Sequence, residues 1–120
     1  MNTKREIFIP NQKTRKKLAE KLNLKFDENM QDWEYEIADS KRVLEFIKEY
    51  DKLESTKKEK QTLMEVIIDS ANDLLCKNRI DEFENVILLI NERLKKEIRL
   101  HKGTLNYWKT NNFEISKRLI

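Results

Sequence analysis

Glu97 and His101 are the two side chains whose types and spacing best suit chemistry. Four residues apart, they share one face of a helix. Thr104, Tyr107 and Trp108 follow within two turns. An imidazole beside a carboxylate is the seed of general acid–base machinery. It also suits a pH-sensitive contact, because histidine changes charge near neutrality. Catalysis needs further polar groups converging from other helices, and a metal needs three or four ligands. The chain holds one His and one Cys, and the helical positions of Glu36, Asp69 and Asp73 point outward. The expectation is therefore a polar pair within the core. The ring nitrogens would be satisfied by Glu97 and by a neighbouring Tyr or backbone group, with no catalytic residue, metal or cofactor.

The remaining chemistry-bearing types narrow the field further. Cys76 falls far from the apolar face of its helix, so an ordinary, partly exposed thiol is expected. A reactive thiol needs a cationic or helix-N-terminal setting, and Lys77 alone is thin support. Phosphate-binding loops need several glycines and a hydrolase elbow needs a Gly-flanked serine. One glycine in 120 residues supplies neither. The expectation is a protein that is not an enzyme.

These residues sit in a chain with one glycine, one proline and 39% charged side chains, which reads as all-α. Apolar stripes of helical period place four main helices at about 12–23, 28–51, 57–77 and 82–109, plus a short C-terminal helix, in a single domain over 1–120. Asn11 caps the first helix, and Leu18 and Leu22 face inward. Asp27 or Asn29 opens the second. Its two apolar sets, Met30-Trp33-Ile37 and Val43-Leu44-Phe46-Ile47-Tyr50, are centred about 90° apart, so it either kinks near Asp39-Ser40 or buries a wider face. Thr56 with Glu59 and Asp81 with Glu84 resemble capping pairs. The fourth helix has the cleanest stripe, from Phe83 through Ile90, Leu94, Ile98, His101 and Leu105 to Trp108, and is expected to be an unbroken rod around which the others pack. Leu89, Leu100 and Tyr107 form a weaker second line, to be covered by the C-terminal tail or by a partner.

Charge is segregated. Residues 1–25 carry eight Lys/Arg against two Glu, whereas residues 26–54 carry ten Asp/Glu against four Lys/Arg. The plain reading is that the two segments pack together and neutralise each other. The sharper one is an acidic docking face of Asp32, Glu36, Asp39 and Glu45 for a basic protein partner, as in a bacterial immunity or antitoxin-like inhibitor. Two alternatives stand beside it: a nucleic-acid-binding accessory protein using the basic segment, with nucleic acid the less favoured partner, and a structural subunit dimerising through Leu89, Leu100 and Tyr107.

Leu18-Ala19 followed by Trp33-Glu34 superficially resembles the helix-turn-helix of small phage-repressor-like DNA-binding proteins, over residues 18–47. The resemblance implies that residues 27–34 enter the major groove. That segment carries Asp27, Glu28, Asp32 and Glu34, and the family's turn glycine is missing after Leu22. Phosphates would repel it. A lone cysteine suits a reducing compartment. The longest apolar run, residues 86–90, is far short of a membrane span. A cytoplasmic protein without membrane contact is expected.

Overall fold

Helix-period apolar spacing yields helices throughout the residues described by the computed structural model, 11–52 and 57–120, with no strand among them. Helix α1 spans Gln12–Leu22. The Asn11 side chain accepts from the Thr14 N–H at its start, and Asn23 closes it in the left-handed region at φ 55°. Leu18, Ala19 and Leu22 are buried, while Lys13, Lys16 and Lys17 face solvent.

The expected helix over 28–51 is divided. Asp27 opens no helix; its carboxylate accepts from the Asn29 N–H and closes a turn instead. Helix α2 is a single turn, Trp33–Glu36, followed by a 3-10 segment, Ser40–Arg42, that leads into α3, Val43–Lys52. The break resolves the 90° conflict between the two apolar sets. Interrupting the helix at 37–39 lets Trp33, Phe46 and Ile47 all reach one core. Asp39 fixes the break, donating its N–H to Ser70 Oγ at 2.9 Å and capping Lys41 with its carboxylate.

Helix α4, Lys57–Cys76, is the hub rather than the last helix. Every residue from Thr62 to Ile68 is buried, so the helix is enclosed on all sides through two turns. It packs against α1, α2, α3, the next helix and both 3-10 segments. The expected cap Thr56 lies outside the described residues.

The expected rod over 82–109 is also divided, into α5, Ile80–Lys96, and α6, Lys102–Thr110, with turns at 97–101. Gly103 lies inside α6 and is not the break. Ile90 and Leu94 are fully buried as expected, but Ile98 is 45% exposed. A 28-residue rod would measure roughly 42 Å, longer than the 37 Å that the described residues span at most. With the rod broken, Leu105 and Trp108 lie in the core, and Trp108 donates to Glu65 of α4. No side chain caps α5: Asp81 lies within its first turn, and Glu84 pairs with Arg118.

The tail forms the second 3-10 segment, Glu114–Arg118, with Ile115 and Leu119 buried. Ile115 donates its N–H to Asn72 of α4. The Leu89–Leu100–Tyr107 line does not survive the break: Leu89 and Leu100 are half-buried, and the Phe113 ring lies 6.0 Å from that of Tyr107. Among the described residues no helix is long and apolar enough to cross a membrane.

Candidate functional site

Three polar centres stand out, two of them built on α4. The first contains the Glu97–His101 pair. The 97–101 break places both residues against Tyr50, the last buried residue of α3. Tyr50 Oη lies 2.6 Å from Glu97 Oε1 and 2.7 Å from His101 Nε2. Lys60 of α4 donates to both Glu97 oxygens at 3.1 and 3.0 Å. Glu97 therefore reaches His101 through the tyrosine hydroxyl rather than directly.

Proton counting assigns the tautomer. The phenol has one proton, and an ionised carboxylate only accepts. Tyr50 gives its proton to Glu97, so its oxygen accepts from His101 Nε2–H. His101 Nδ1 then keeps a bare lone pair, and it is the one buried side-chain polar atom among the described residues without a partner. Burial drives the His101 pKa from 6.5 down to about 4; Glu97 opposes the shift and Lys60 adds to it. Burial and the bond to Glu97 push the Tyr50 phenol well above its usual range. For Glu97, burial pushes upward, but the Tyr50 hydroxyl and the Lys60 ammonium outweigh it and hold the carboxyl below its usual range. Tyr50, Lys60 and Glu97 open onto a cleft of about 500 Å³, shared with Asp51, Arg93 and Lys96. Arg93 is held by Asp51 at 2.9 and 2.7 Å. Apart from Lys96, the charges named in the cleft are already paired with each other, while the imidazole behind them is sealed from solvent.

The second centre is the buried ion pair Arg15–Glu34, joining α1 to α2 by two bonds of 2.8 Å. Arg15 spends its remaining donors on the Met30 and Gln31 carbonyls and on Gln12 Oε1. The basic and acidic segments do meet here, and among the described residues this is the one ion pair between them. Arg15 is thereby removed from the basic surface and Glu34 from the acidic one. The sequence carried a signal: Arg15 precedes Leu18 and Leu22 by three and seven residues, on the same helix face.

The third centre is Glu65, buried in α4. It accepts from Tyr35 Oη at 2.9 Å and from Trp108 Nε1 at 3.1 Å. Burial raises its pKa, partly offset by bonds from Thr104, Tyr35 and Trp108. Beside it lies a smaller cleft of about 180 Å³, lined by Tyr35, Ala38, Asp69, Asn72, Asp73 and Cys76. Asp69 is half-buried there and has neither an ion pair nor a hydrogen bond among the described residues. Burial, then the charges of Asp73 and Glu65, raise its pKa from 3.8 to about 6. Cys76 is exposed, and its pKa is raised by partial burial and by the neighbouring acids, so its thiol is not activated.

The four residues expected to form an acidic docking face have separate positions. Asp32 precedes α2 and Glu36 ends it, and both are exposed. Asp39 is half-buried and serves as the 3-10 cap. Glu45 is held by a two-pronged bond from Arg42, which keeps its carboxyl below the usual range. Sequence reasoning missed Asp69 as part of the same acidic surface, although segment 35–39 runs directly over 65–70 of α4. Among the described residues no group of three or more His, Cys, Asp or Glu is placed to hold a metal ion. Comparison with protein-family models, curated proteins and solved structures found no match.

Proposed function

We propose that this chain is a small non-enzymatic protein-binding module, of the immunity or antitoxin-like inhibitor kind, whose acidic edge receives a basic partner. The observation that carries the reading is Asp69. A half-buried carboxylate without a cation is costly, and its raised pKa expresses that cost. A lysine or arginine from a partner, entering the cleft between Tyr35 and Asp73, would supply the missing charge. Exposed Asp32 and Glu36 on the neighbouring segment would steer its approach. The contact surface thus differs from the four expected acids: Asp32 and Glu36 remain, Asp39 and Glu45 have local roles, and Asp69 joins, beside an Asp73 already paired with Lys77. A reducing, cytoplasmic setting accords with the lone exposed thiol.

The test compares affinity capture from native lysate by the wild type and by D32K/E36K/D69N. A basic protein retained by the wild type and lost by the variant, with both melting within about 3 °C of each other, is the expected result. Identical capture by both removes the acidic edge as the contact.

A further inference from the structure

The opposite charge gathers at the other end of α4. Lys13, Lys16, Lys17 and Lys21 share the outer face of α1, and all are exposed. Lys17 and Lys21 lean onto α4, at 3.5 and 3.1 Å from Glu59, a carboxylate almost wholly buried in its first turn. Lys57 and Lys58, both exposed, stand immediately before Glu59. Six lysines therefore ring the point where α1 crosses the start of α4.

Fold stability does not account for this arrangement. A helix start disfavours cations, by about 0.3–1 kcal/mol each at exposed sites, so Lys57 and Lys58 oppose the α4 dipole. The four lysines on one face of α1 repel as well, with Glu20 the single exposed acid among them to offset it. Glu59 anchors two of the six ammonium groups, and the other four make no ion pair among the described residues. We infer that the outer face of α1 and the first turn of α4 form a docking surface for the phosphate backbone of a nucleic acid. The surface differs from a simple basic N-terminal segment: Arg15 is withdrawn into its buried pair, and Lys57 and Lys58 join from a distant part of the chain.

The chemistry sets the kind of recognition. Every cation on the surface is a lysine, with Glu20 the one acid exposed among them on α1; lysine is a point charge that pairs with phosphate, whereas two-pronged base reading belongs to arginine. Binding is then insensitive to base sequence. The eleven residues of α1 span about 16 Å, enough for about five phosphates spaced about 3.4 Å apart along one strand. Four to five contacts give a slope of log affinity against log salt of roughly −4, and a loss of about two to three powers of ten between 50 and 200 mM salt.

The test is fluorescence anisotropy of a labelled 20-base-pair DNA duplex, and of its RNA counterpart, across that salt range. Two variants with equal charge change accompany the wild type. One is K13E/K16E/K57E/K58E. The other, K41E/K52E/K95E/K102E, reverses four exposed lysines elsewhere. Expected is salt-dependent binding by the wild type to at least one duplex, retained by the second variant within about threefold and weakened at least tenfold in the first, with the slope flattened. Circular dichroism confirms that both variants are folded; should the first not fold, K13A/K16A carries the same test, with the slope reduced by about two. No binding of either duplex at 50 mM salt overturns the inference, as does equal loss in both four-site variants. Co-flotation with phosphatidylserine vesicles in the absence of duplex binding would assign the surface to a membrane and overturn it too.

Discussion

His101 is sealed in the core as a neutral imidazole, and acid should expose what that placement costs. Its pKa is 6.5 when free and about 4 in the fold. Between those values the unfolded chain binds a proton that the folded chain refuses. The contribution to stability is therefore complete above about pH 6.5 and lost progressively as pH falls toward 4. The full span corresponds to about 3 kcal/mol, and the share lost between pH 7 and pH 4.5 is about 2 kcal/mol. Asp69, with its pKa raised to about 6, runs the other way in part of this window, as does Glu65. The measurement must cancel them. Urea denaturation of the wild type and of His101→Gln at both pH values does so, since the carboxylates are common to both proteins. The wild type should lose about 2 kcal/mol more than the variant on going from pH 7 to pH 4.5. As the chain has a single histidine, its proton resonances report the same pKa independently. A pH-independent difference between the two proteins, or a resonance titrating near 6.5, would refute the sealed neutral ring and the proton arrangement with Tyr50.

Two further outcomes test the architecture. Arg15→Met should cost about 3–5 kcal/mol in urea denaturation, because it leaves Glu34 buried and unpaired, and R15M/E34M should recover much of that loss. Ile98→Glu should change stability by less than about 0.5 kcal/mol, while Leu94→Ala, one turn earlier, should cost about 2–5 kcal/mol; equal losses at the two positions would restore the unbroken rod.

The candidate site was legible in part. Glu97 and His101 could be paired from their spacing, and the presence of a tyrosine was foreseeable as a type but not as Tyr50, since that contact spans 51 residues. Lys60 had no local signal at all: its position on α4 reads as solvated, and only the meeting of α3, α4 and α5 turns it toward Glu97. Asp69 looked outward on its own helix and is half-covered only because segment 35–39 lies over it.

Local physics, acting over a few residues, was sufficient for the all-α class, for the span of α1 between Asn11 and Asn23, for α4, and for the inward set from Phe83 to Leu94. Helical period and end-capping are short-range properties, and the order of residues alone specifies them. Tertiary packing decided between the kink near Asp39-Ser40 and the wider buried face that the second pattern left open, where the last pattern breaks, that α4 is the hub, and which charges remain free. The helix pattern turns its apolar face at 37–39 without requiring a break, and it continues unchanged through 97–101. It is interrupted there because one core must receive apolar faces that a straight rod would carry past it, and the charges left over at the surface are those the resulting crossings did not pair.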